Sequence, residues 1–315
     1  MTTVSQTIIL HSTQHFGRRV PSKALGRLLE RLPDTVRQAV RMVVEGRSQA
    51  RWKRPDWLRA ASDIRFLGQE GEDETILHFE APSLGEAAPH LYEQQEFWPM
   101  KPAAEDSGFD VLADMFLDVA AQNEDSDRFD RPLLDQIYGL RHVLNGTFQE
   151  MALTGRRHTA EQPVVVTPSV VEMARNLYTN TPLPQQVRLA GKLDMLRAGT
   201  QSFAVLLDDG QEVRGVLMEG DIEQLKLLLN RRVLVLGKAI YRPSSRLLRV
   251  DAEEVILASG QEGFFSTVPK PVRKHFDLRD TVGEQQHKMG IASIIGKWPG
   301  EETDEQIDQA LKELS

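Results

Sequence analysis

Four aspartates, Asp106, Asp110, Asp114 and Asp118, recur at intervals of four residues. On a helix that interval sets the last three along one face, where their oxygens could meet a divalent cation. The helix that would carry them, 109–122, has Leu112, Met115, Phe116 and Val119 on its other side. The same carboxylates therefore fit the solvent face of an amphipathic helix. Eight histidines are present, and His11 and His15 are four apart. They fall on a strand and its exit, where that interval does not align side chains. H-E-x-x-H and G-x-S-x-G are absent. Gly296-Lys297 resembles the end of a phosphate loop, but Ile291 and Trp298 stand where that loop needs glycine and Ser/Thr. No catalytic residue, metal site or cofactor is predicted.

Cations offer a different chemistry, phosphate neutralisation. The segment Arg51-Trp52-Lys53-Arg54 joins basic residues to an aromatic ring, with Trp57 close behind. Further along, Lys192, Arg197, Arg214, Lys238, Arg242 and Arg246 are spread through a β-rich stretch. Charge is unevenly divided along the chain. From Gly17 to Arg65 there are 13 Lys/Arg against 5 Asp/Glu, and from Phe66 to Gln162 there are 6 against 20. The two regions could neutralise each other within the fold, or the first could form a basic patch for phosphates.

The elements that must hold these residues follow from periodicity. Thr2 to Leu10 reads as a strand. Leu25, Leu28, Leu29 and Leu32 mark a helix capped by Ser22 and broken at Pro33. Asp34 starts a second helix with Val36, Val40, Val43 and Val44 on its apolar face and Gly46 at its end. Arg37 and Arg41 lie off that stripe. Ser62–Leu67 and Thr75–Phe79 read as strands, and 82–107 as a loop. A helix capped by Asp130, with Pro132 in its first turn, is expected to run through Leu133, Ile137, Leu140, Leu144 and Phe148. Val164–Val166 is a short strand, and Ser169–Tyr178 a helix.

The stretch 186–257 is the most informative. Three strands (Gln186–Met195, Gln201–Leu207, Glu212–Met218) precede a short helix through Leu225, Leu228 and Leu229. Two further strands, Arg232–Arg242 and Leu247–Leu257, close the stretch. Asp208-Asp209-Gly210 is a hairpin turn, and Gly191 and Gly237 within strands suggest bulges or bends. This order resembles the five-stranded OB barrel, whose helix bridges its third and fourth strands. The resemblance implies a ligand face on the second and third strands, flanked by the loops with Arg197, Arg242 and Arg246. Against a nucleic-acid module stand near-balanced charge, 11 basic to 10 acidic residues from Gln186 to Leu257, and only two aromatics, Phe203 and Tyr241.

The expected fold class is α+β. The expected parts are a small N-terminal α/β domain with the basic segment (1–105), a helical region (106–180), the OB-like barrel (186–258), and a flexible segment with a docking tail (259–315). Cysteine is absent from all 315 residues, which excludes disulfides, cysteine-ligated metals and thiol catalysis. No apolar run reaches the roughly 20 residues of a membrane span, and the first residues lack the pattern of a secretory signal. A cytoplasmic protein without membrane contact is expected.

The last residues carry their own signal. Thr303 and Gln306 form a capping box, and Ile307, Ala310, Leu311 and Leu314 make a helical stripe. Six of the final 15 residues are acidic. The run Gly296-Lys297-Trp298-Pro299-Gly300-Glu301-Glu302, followed by this acidic helix, resembles the C-terminal tails of bacterial antitoxins paired with PIN-domain ribonuclease toxins. The resemblance implies a tail that binds a partner protein of a toxin–antitoxin or defence-like system. Lys297 and Trp298 would anchor it, and Ile307, Leu311 and Leu314 would lie in a groove of that partner. The chain is several times longer than such antitoxins. A non-enzymatic interaction protein is the first expectation. A nucleic-acid-binding protein using the barrel and basic segment is the second, and a metal-dependent nuclease on Asp110, Asp114 and Asp118 the third.

Overall fold

The computed structural model describes residues 3–50, 55–92, 102–144, 146–218, 220, 222–259 and 262–271. Strand β1 (Thr3–His11) leads to the long helix α1 (Ser22–Glu45), the short α2 (Asp56–Ala61), and the hairpin of β2 (Arg65–Glu70) and β3 (Thr75–Pro82). Then follow α3 (Leu84–Ala87), α4 (Gly108–Ala120), α5 (Arg131–Tyr138), α6 (Arg141–Leu144), β4 (Glu150–Thr154), β5 (Val164–Val166) and α7 (Pro168–Asn180). The remaining elements are β6 (Gln185–Arg197), β7 (Ser202–Leu206), β8 (Glu212–Leu217), α8 (Ile222–Lys226), β9 (Arg232–Tyr241) and β10 (Leu247–Leu257). The α+β class and the OB-like barrel are present as expected.

The first five strands form an antiparallel sheet in the order β2-β3-β1-β4-β5. Alternation buries Ile8 and Leu10 of β1 opposite Leu77 of β3 and Met151 and Leu153 of β4. These side chains share one core with α1, α4, α5 and α7. Because β4 pairs with β1, the boundary expected near residue 105 does not separate two cores. Residues on both sides of it build the same sheet. Strand β4 was missed because its short run, Glu150–Thr154, follows directly on a helical pattern.

Helix α1 corrects the expected break at Pro33. It runs unbroken for 24 residues with Pro33 inside. Interior proline costs about 3 kcal/mol by removing a hydrogen bond and crowding the preceding turn. Leu28, Leu32, Val36, Ala39 and Val40 bury one continuous stripe across it, and burial of each large side chain is worth roughly 1.5–3 kcal/mol. The stripe outweighs the proline. Asp34 is accordingly mid-helix and pairs with Arg37 instead of capping. Gly46 ends the helix in the left-handed conformation, with φ of 73°. The single helix expected from Asp130 to Phe148 is instead α5 and α6, separated at Gly139-Leu140. The Asp130 cap is present, its carboxylate accepting from the Leu133 N–H at 3.3 Å.

The last five strands close into a barrel of order β10-β8-β7-β6-β9. Strand β8 runs parallel to β10, and every other pair is antiparallel. That is the Greek-key closure of the OB architecture, with α8 between the third and fourth strands. Val187, Leu189, Phe203, Val205, Val235 and Tyr241 fill the interior. Gly191 and Gly237 are not themselves bulged. At Gly237 a Cβ would collide with the Asp251 carbonyl of the neighbouring strand, so glycine permits close strand approach while the bulge lies opposite, between Ala252 and Glu254 of β10. Past the barrel, the Tyr241 hydroxyl donates to the Pro269 carbonyl at 3.1 Å and Gln185 Nε2 to that of Lys270 at 3.2 Å. The chain is thereby fastened to the barrel as far as Lys270. No described helix is long and apolar enough to cross a membrane.

Candidate functional site: the barrel face and its cover

The ligand face implied by the OB order is turned onto the chain's own N-terminal half. The turn between β9 and β10 carries Arg242 and Arg246, and the loop between α4 and α5 carries Asp125 and Asp127. Arg242 Nε donates to Asp127 at 2.9 Å, and Arg214 of β8 reaches the same carboxylate at 3.0 Å. Arg246 pairs with Asp125 at 3.2 Å. Ser244 donates its hydroxyl to Asp125 at 2.6 Å and its N–H to the Glu124 carbonyl at 3.2 Å. Three of the cations expected to meet phosphates are thus engaged by two carboxylates of the same chain. The uneven charge of the sequence is, at this seam, internal complementarity.

Deeper in the seam the charges are buried. Arg249 of β10 is 6% exposed and reaches Asp130 at 3.1 Å and Asp251 at 2.7 Å. Burial works against its charge, but the two carboxylates outweigh that and hold the guanidinium firmly protonated. Asp130 in turn accepts from Ser48 Oγ at 2.5 Å and from the Ser48 N–H at 3.1 Å. At the end of α1, Glu45 lies between Arg41, at 2.8 Å, and Arg47, at 3.0 Å, all three buried. Arg41, expected merely to lie off the apolar stripe, is therefore part of a buried triad. Leu248, the neighbour of Arg249, packs into the N-terminal core rather than the barrel's own.

Arg249 borders two cavities. One of about 80 Å³ lies among Met42, Glu45, Asp127, Phe203 and Arg214. One of about 520 Å³ lies among Asp130, Arg131, Pro182, Lys238, Arg249, Asp251 and Glu253. The second has the size of a small-molecule site, but its wall alternates three cations with three carboxylates and presents no net charge. Among the described residues no group of three or more His, Asp or Glu is arranged to hold a metal. The arrangement locks two folded units together.

The aspartate ladder is held in another way. Asp106 and Asp110 are 2% and 1% exposed, which corrects the reading of this face as solvated. The loop after β4 folds over it and supplies arginines. Arg156 reaches Asp106 at 3.1 Å, and Arg157 reaches Asp106 at 3.3 Å and Asp114 at 2.9 Å. Arg128 reaches Asp118 at 2.9 Å. Asp110 completes a capping box with Ser107 at the start of α4. Burial is the largest influence on Asp106 and raises its pKa above the ordinary 3.8; the nearby Asp110 carboxylate raises it further, and Arg157 and Arg156 only partly offset both. With an arginine or a cap at each rung, the ladder braces α4 against the loop.

The other candidates are dispersed. Lys192 pairs with Asp194 at 3.4 Å and Lys238 with Glu253 at 3.5 Å, both at exposed positions. Arg197 ends β6 beside the smaller cavity. His11 sits between Glu74 and Glu150, at 2.9 and 3.5 Å, and Trp57 packs on the N-terminal core. Arg51, Lys53 and Arg54, and the tail residues Lys297, Trp298, Ile307, Leu311 and Leu314, lie outside the described residues. Sequence reasoning missed Asp125 and Asp127, and read Asp130 only as a helix cap. Their signal is the acidic density of Glu124–Asp130, which nothing in the linear order connects to arginines 87 to 121 positions away. Comparison with models of protein families, with curated proteins and with solved structures finds no match.

Proposed function

We propose that this protein is a non-enzymatic interaction protein of a bacterial two-component system of the toxin–antitoxin or defence type. In this reading the N-terminal half and the barrel form a scaffold, and the C-terminal tail binds the partner protein, a PIN-type ribonuclease. The observation that supports it is the closed barrel face. Arg214 and Arg242 converge on Asp127, and Arg246 is held by Asp125. A strand of nucleic acid would have to displace these pairs to reach the implied ligand face. The tail supplies an apolar stripe and an anchor for partner contact, Trp298, Ile307, Leu311 and Leu314. The test is capture of partner from nuclease-treated native lysate on the immobilised full chain, with ribonuclease activity assayed before and after release. The expected result is a stoichiometric ribonuclease that is silent while bound and is lost from Trp298→Ala and Leu311→Asp. Retention by both variants contradicts the tail as the binding element.

A further inference from the structure

We propose that the exposed face where α1 meets the α5–α6 corner is a binding site for the phosphodiester backbone of a nucleic-acid duplex, separate from both the barrel and the tail. Lys23, Arg27 and Arg31 follow one another at intervals of four along α1, which places them in one row about 6 Å apart. The Arg31 guanidinium closes over Gly139 in the α5–α6 corner. Beyond that corner Arg141 and His142 extend the row. The His142 imidazole lies close enough to Arg141, and then to Arg31 and Arg27, for its pKa to be lowered by them, with a share from burial.

Like charges four apart on a helix oppose one another, and at the seam with the barrel this chain answers Arg214, Arg242, Arg246 and Arg249 with carboxylates. Here it does not. Among the described residues, no carboxylate within ion-pair distance is found for Lys23, Arg27, Arg31 or Arg141. The face also carries an exposed glycine inside the helix. Gly26 adjoins Arg27 one turn from Lys23, and a Cβ there would meet nothing within 4 Å. Packing does not require this glycine, and it weakens the helix. Its bare backbone leaves open space beside Lys23 and Arg27.

The chemistry of the face selects among anions. Guanidinium groups suit bidentate phosphate contact. The neighbouring ring of Tyr138 is covered by Arg141 at 4.1 Å and flanked by Arg175 at 5.5 Å, so it is not free to stack an unpaired base. Leu25, Leu28 and Leu29 point into the core, which leaves the row without an apolar wedge for a bilayer. A duplex read through its backbone fits, and the contact carries no sequence preference.

The experiment is fluorescence anisotropy of the full chain against labelled duplex DNA and duplex RNA across a salt series, with a single-stranded oligothymidine and phosphatidylserine vesicles alongside. Four cations predict a slope of log K on log salt of about −3 to −4 with duplex. Lys23→Gln/Arg27→Gln, at two exposed positions, lowers the steepness by about two. Gly26→Leu weakens binding without changing charge, while Lys192→Gln/Lys238→Gln on the barrel leaves it unchanged. Arg141→Gln gives the same answer from the second element. No duplex binding, unaltered binding in the α1 and Arg141 variants, or binding only to vesicles or only to the single strand each overturns the proposal.

Discussion

Arg242 and Asp127, 115 positions apart in sequence, form a part-buried ion pair that fastens the last turn of the barrel to the loop between α4 and α5. Both side chains are about one-fifth exposed or less, at 17% and 20%. Removing either leaves the other part-buried and short of its partner. Asp127→Ala costs about 1.5–3 kcal/mol in urea unfolding, more than Arg246→Ala, whose guanidinium is 75% exposed. A double-mutant cycle of Asp127 and Arg242 yields a coupling energy clearly above zero. Simple additivity would show that the seam is not held here.

The buried pair behind it sets a larger effect. Asp130 serves Arg249, Ser48 and the first turn of α5 together. Asp130→Ala therefore destabilises by about 3–5 kcal/mol, since the buried Arg249 loses one of its two carboxylates and α5 loses its cap. Because Leu248 and Arg249 belong to the seam, the N-terminal half and the barrel unfold in one transition. Two resolved transitions in calorimetry of the intact chain would contradict that coupling.

Gly26 gives a prediction on stability alone. Gly26→Ala raises unfolding free energy by about 0.5–1 kcal/mol, since the helix gains and no neighbour is touched. Thermal denaturation measures it. A loss of stability would mean that the position is crowded after all.

Asp106 gives a pH dependence with a defined sign. Its folded pKa is raised, chiefly by burial. Below the unfolded value both states are protonated and the group contributes nothing. As pH rises from about 3.8 through the raised folded value, the unfolded chain releases the proton first and stability falls. Asp106→Asn removes this penalty. The melting temperature of the variant relative to the parent therefore rises between pH 3 and pH 7. The opposite trend would show that Arg156 and Arg157 outweigh the burial.

Much of this fold is legible in the sequence, and the gaps have physical causes. The barrel is readable because its long strands alternate, Val187 and Leu189 in β6 and Val233 and Val235 in β9, and because Asp208-Asp209-Gly210 marks the turn that pairs the short β7 with β8. Strand β4 is not, because five residues give too little periodicity next to Leu140, Leu144 and Phe148. Pro33 misleads because local propensity is a small term against a stripe buried from Leu28 to Val40. The ladder from Asp106 to Asp118 has the right spacing on the page, but the arginines that answer it lie at 128, 156 and 157. The closure of Arg242 on Asp127 is a matter of tertiary placement, which neither residue announces.

The central claim, that the tail carries the function, is tested most directly by comparing the full chain with one cut after Gln285 in a pull-down from native lysate, with and without nuclease. The account predicts a stoichiometric protein that survives nuclease treatment and disappears with the tail. Equal recovery of that protein by both forms, or recovery of nuclease-sensitive material alone by both, would contradict it.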